Sequence, residues 1–157
     1  MQLFISITAV FLAAAIGSIF TNRSVTNWYA GLKKPHFTPP NWLFGPVWTI
    51  LYILMAISVF LIWRQGLDTE RILLAFILFW IQLAFNTMWS VAFFGMRSIT
   101  GGVIIISILW MLIIATMVTS FAVNLWAGIL LVPYIIWVSL ASYLNIGIWF
   151  ENRSYEK

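Results

Sequence analysis

Cysteine is absent from the chain, so neither a disulfide framework nor a thiolate metal site can form. With four acidic residues and one histidine, the carboxylate and imidazole clusters that hold metals are not expected either. Charge of either sign is scarce: 8% of the 157 residues are charged, against roughly a quarter in a soluble domain. A water-facing coat cannot be built from so few. The eight Lys and Arg give a net charge of +4, but they are scattered through short polar breaks and form no basic stripe. That excludes a nucleic-acid partner.

What is present is apolar length. Hydrophobic residues make up 63% of the chain, and five stretches reach the ~20 apolar residues that a spanning helix needs. They run approximately over Leu3–Thr21, Leu43–Trp63, Ile72–Phe94, Gly101–Ala122 and Leu125–Phe150. The expected fold is all-α, a single membrane domain over 1–157 with five transmembrane helices. The first stretch has no basic residue before Arg23 and exceeds the ~7–15 residues of a signal-peptide core, so it reads as a retained span. The shortest break, Val123–Asn124, forces the fourth and fifth helices into an antiparallel hairpin.

Five spans place the termini on opposite sides of the membrane. Arg23, Lys33, Lys34, Arg97, Arg153 and Lys157 fall on one side, Arg64 and Arg71 on the other. The positive-inside bias therefore predicts a cytoplasmic C-terminus and an external N-terminus. The first break, Asn22–Trp42, is long for a bundle connection, and long loops are often functional. Trp28, Tyr29, Leu32, Phe37 and Trp42, with Pro35, Pro39 and Pro40, argue for a folded lid rather than disorder.

None of the span interiors holds an ionisable Asp, Glu, His, Lys or Arg, which argues against proton-coupled transport and leaves no acid, base or nucleophile for hydrolysis. Gln82, Asn86 and Trp89 share one face of the third helix, and Trp48, Tyr52 and Met55 one face of the second. On the fifth, Trp137 and Ala141 share a face with Leu144 or Asn145. Each stripe taken singly reads as ordinary helix packing, and the amides read equally as interhelical hydrogen-bonding groups. Three such faces beneath an aromatic loop predict an apolar pocket with a few orienting polar groups. The Ala13/Gly17 pair predicts close helix approach on the first helix.

Several multi-residue signatures carry a resemblance over nearly the whole chain. They are Trp28-Tyr29-Ala30-Gly31-Leu32-Lys33-Lys34-Pro35, Pro39-Pro40-Asn41-Trp42, Gly45-Pro46-Val47-Trp48 with Tyr52, Leu83-Ala84-Phe85-Asn86-Thr87-Met88-Trp89, Phe93-Phe94-Gly95, Trp126-Ala127-Gly128, and Pro133-Tyr134 with Trp137, Asn145 and Trp149. In this order they resemble the translocator protein family, also called tryptophan-rich sensory proteins or peripheral benzodiazepine receptors. The resemblance implies a five-helix bundle, usually a homodimer, that binds porphyrins such as protoporphyrin IX and haem. It also implies sterols and drugs of the isoquinoline carboxamide and benzodiazepine types as ligands. By family pattern the ligand site comprises Trp28, Tyr29, Trp48, Tyr52, Asn86, Trp89, Trp137 and Ala141, with no obligatory cofactor. Ile146 and Phe150 stand where animal members carry the Tyr and Arg of a cholesterol pattern. A bacterial cell membrane is therefore expected rather than an animal one. Phe37 replaces a loop position that is often Trp.

The function expected from these residues is a porphyrin receptor or sensor, with the macrocycle stacked on Trp48 and Trp137, a hydrogen bond from Asn86, and closure by the loop. Light-dependent porphyrin degradation, and passive transport of tetrapyrroles or sterols, are the alternatives.

Overall fold

The computed structural model describes residues 1–152, so Arg153 and Lys157 of the charge count lie outside the described residues. Five helices are long and apolar enough to cross a membrane: α1 Gln2–Tyr29, α2 Asn41–Trp63, α3 Glu70–Gly95, α4 Ile99–Val123 and α5 Leu125–Glu151. No strand occurs among the described residues. Around the bundle α1 packs on α2 and α3, α4 on α3 and α5, and α5 closes against α2.

Lipid is as apolar as the core, so the bundle is held by close packing and interhelical hydrogen bonds rather than by a hydrophobic inside. Leu12, Ile16, Ile50, Ile104 and Ile136 face outward, while Gln82, Asn86, Asn145 and Thr116 are buried. Helices α1 and α3 approach closely where Gly17 meets Ser90: a Cβ at Gly17 would stand 3.2 Å from the Ser90 hydroxyl oxygen. One turn earlier the Thr87 hydroxyl donates to the Ala13 carbonyl at 3.4 Å. The expected close approach at Ala13 and Gly17 is thus to α3.

Two helix ends depart from the expected boundaries. Helix α1 continues well past Thr21, ending in a π-helical turn over Val25–Tyr29, so the polar residues Asn22 and Arg23 lie within the helix rather than in a loop. Helix α3 ends in a similar turn, Val91–Gly95. The two turns are joined by the Ser24 hydroxyl, which donates to the Phe94 carbonyl at 2.6 Å. The fifth span is broken between Leu125–Ile129 and Val132–Glu151. Pro133 sits at the start of the second segment, where its missing N–H costs least. A single residue, Asn124, makes the α4–α5 turn, its side chain accepting from the N–H of Trp126 and of Ala127 at 3.0 and 3.1 Å. The antiparallel hairpin is present.

The first connection therefore shrinks to about residues 32–40, and it rests on the end of α5. Lys33 donates its N–H to Asn152 Oδ1 at 3.1 Å and its carbonyl accepts from Asn152 Nδ2 at 2.9 Å. Pro35 lies so close to Gly147 that a Cβ there would come within 2.8 Å of its ring.

Candidate functional site

The three polar-aromatic faces meet, and they fill one another. Tyr52 donates its hydroxyl to Asn86 Oδ1 at 2.8 Å, Asn86 Nδ2 donates to the Tyr134 hydroxyl at 2.9 Å, and Tyr134 donates to Gln82 Oε1 at 2.9 Å. Trp89 Nε1 donates to Asn145 Oδ1 at 2.9 Å. Aromatic packing runs through the same cluster: Trp48 lies 5.5 Å from Tyr52 at an interplanar angle of 29° and edge-on to Tyr134 at 6.3 Å, and Trp89 stacks on Phe93 at 5.9 Å. Both polar ends of the Asn86 amide are thereby engaged.

Space opens on the other side of α2. A cavity of about 430 Å³ lies between α1, α2 and α3, within the ~300–1,000 Å³ range of small-molecule sites. One wall is aromatic: Tyr29, Phe44, Trp48, Tyr52, Trp89 and Phe94. The α1 wall is mostly small, with Ala14, Ala15, Gly17 and Ser18. Tyr29 and Phe94 arrive there from the two π-helical turns. Such turns re-aim side chains and recur at functional sites.

Of the residues expected from sequence, Tyr29, Trp48, Tyr52 and Trp89 line this cavity. Asn86 lies behind the wall, tied to Tyr52. Trp137 packs edge-on against Phe44 at 5.5 Å and does not itself line the cavity. Ala141 is buried within the bundle, and Trp28 packs edge-on to Phe93 at 5.3 Å. The α1 wall was not anticipated as part of a site; its signal in the sequence is the run of small residues from Ala13 to Ser18. No residue of the 32–40 loop lines the cavity, and Phe37 points away from the protein. Lys34 is held near the rim: its ammonium sits 4.7 Å over the Tyr29 ring and donates to the carbonyls of Ala30 and Leu32. Partial burial pulls its pKa below the ordinary lysine value.

A family profile described as the TspO/MBR family matches residues 5–150. The chain belongs to the TspO/MBR family. It is similar to the tryptophan-rich protein TspO of Archaeoglobus fulgidus, 41% identical over 152 residues and 97% of each chain. The tryptophan-rich protein TspO of Chlorobaculum tepidum is 44% identical over 132 residues, 84% of each chain. The translocator protein of Homo sapiens is 34% identical over 145 residues, covering 92% of this chain and 86% of the human one. This TspO/MBR member is an integral membrane protein of five spanning helices.

Proposed function

We propose that this protein is a membrane receptor or sensor for flat apolar ligands of the porphyrin class, protoporphyrin IX and haem among them, bound in the cavity between α1, α2 and α3. Related apolar drugs of the isoquinoline carboxamide and benzodiazepine types fit the same description. The observation that carries the reading is the aromatic wall, where the Trp48 and Tyr52 rings lie 5.5 Å apart at 29° beside Trp89. Such rings offer a macrocycle a stacking surface, and aromatic pairs contribute ~0.5–1.5 kcal/mol beyond area burial. The family names, sensory and translocator protein, support a receptor role. Titrating protoporphyrin IX into detergent-purified protein, read by tryptophan quenching, tests it. Saturable binding weakened by Trp48→Ala is expected; porphyrin binding indistinguishable from empty micelles would end the proposal.

A second reading is favoured by the same indoles. Trp48 and Trp89 would stand against a bound photosensitiser, so light-dependent degradation of the porphyrin is the alternative function. Equal photolysis rates with protein and with detergent alone would leave binding only. Arg23, Lys33, Lys34 and Arg97 at the loop end, against Arg64 and Arg71 at the other, support a cytoplasmic loop end. A homodimer accords with the family resemblance.

A further inference from the structure

The cavity is a slot in the lipid-facing surface. Ala15 and Ser18 on α1 and Gly45 and Thr49 on α2 line it and are themselves exposed, with the lipid-facing Leu12, Ile16 and Ile50 beside them. A Cβ placed on Gly45 would meet nothing within 4 Å, so the seam between the two helices is open at that point. Along α1 the lining runs from Phe11 to Asn22, about 16 Å at helical rise. That is one leaflet of a ~30 Å hydrocarbon core. Its polar end carries the amides of Asn22 and Asn41 and its deep end Phe11 and Tyr52.

The Ser and Thr hydroxyls that α1 and α2 bring to the slot have their donors already engaged. Ser18 donates to the Ala15 carbonyl at 2.9 Å, Thr21 to the Gly17 carbonyl at 3.1 Å and Thr49 to the Gly45 carbonyl at 2.9 Å. Each is satisfied within its own helix, so the seam between α1 and α2 offers a mainly apolar wall. At this depth the molecules outside are lipid tails.

We infer that an acyl chain of a phospholipid in the loop-side leaflet occupies the slot between α1 and α2. It lies against the ring of Trp48 and is displaced when another apolar ligand enters sideways from the bilayer. The glycerol ester region then falls beside Asn22 and Asn41. The occupancy does not depend on porphyrin binding, which the detergent titration tests separately.

The test is tryptophan quenching in bilayers of phosphatidylcholine brominated at mid-chain, with no porphyrin present. The Trp48 contribution is taken as the difference between wild type and Trp48→Phe. We expect it to be quenched at least twofold, and the quenching to disappear when Gly45→Leu fills the slot. Ala15→Leu, from the opposite wall, repeats the test should Gly45→Leu fail to fold. Equal quenching of Trp48 in the open and plugged proteins overturns the inference. So does unchanged quenching with loss of a dimer on plugging, which would give the slot to a second copy of the chain.

Discussion

The two sides of α2 use the same aromatic residues to opposite ends. Toward α3 and α5, Tyr52, Asn86, Tyr134 and Gln82 are joined hydroxyl to amide, and the Trp48 ring packs edge-on to Tyr134. Toward α1, the same Trp48 and Tyr52 face a void because their neighbours there are Ala14, Ala15, Gly17 and Ser18. Ring density therefore marks where this bundle is cemented, and small residues opposite rings mark where it is open. In a bilayer the cemented side matters most for stability, since buried polar groups there have no water to turn to.

The contrast can be broken most forcefully at Asn86. Asn86→Leu removes both hydrogen bonds of one amide and strands the Tyr52 hydroxyl, so thermal unfolding in detergent should report a loss of about 2 kcal/mol. An unchanged midpoint would mean that the cluster does not hold the bundle. On the open side, Trp48→Ala should weaken protoporphyrin binding about tenfold, equivalent to ~1.4 kcal/mol, while its effect on the midpoint is smaller than that of Asn86→Leu. Tyr134→Phe keeps the ring against Trp48 but frees Gln82 and Asn86; a loss of ~0.6–1.7 kcal/mol in the same melt is expected. Smallest is Trp137→Phe. The Trp137 indole N–H is buried without a hydrogen-bond partner and its ring touches Phe44 rather than the void, so porphyrin affinity should stay within about twofold. A tenfold loss there would place the ligand on the α5 face and reverse the comparison.

The five helices were legible in the sequence because a bilayer imposes length and apolarity on each span separately. Their ends were not equally so. Asn22 and Arg23 read as a break, yet a helix that has left the hydrocarbon can carry polar side chains, and α1 runs on to Tyr29. Pro133 sits where the fifth span is interrupted, but a single proline within an apolar run of spanning length does not by itself mark a break, since membrane helices tolerate proline. The site divides along the same line. The period of four and three placed Trp48, Tyr52, Asn86 and Trp89 on their faces, which are local facts. Which face closes and which stays open depends on where α1 packs, and that is set by the Gly17–Ser90 contact across the bundle. The loop, too, was legible as ordered but not in its destination. Its aromatic and proline content marked a folded segment, while its seat on Gly147 and Asn152 follows from a glycine far along the chain.

The paired π-helical turns at Val25–Tyr29 and Val91–Gly95 carry a consequence for sequence length. Each holds one residue more than a regular turn, so deleting one residue inside it restores the ordinary winding and leaves the direction of everything beyond nearly unchanged. A deletion within Val25–Tyr29 would leave the apolar span and the seat of Lys33 on Asn152 in phase, while shifting the Tyr29 ring that the turn brings to the cavity. Single-residue deletions there should thus spare the fold and the loop's seat on α5 while altering the aromatic wall of the cavity.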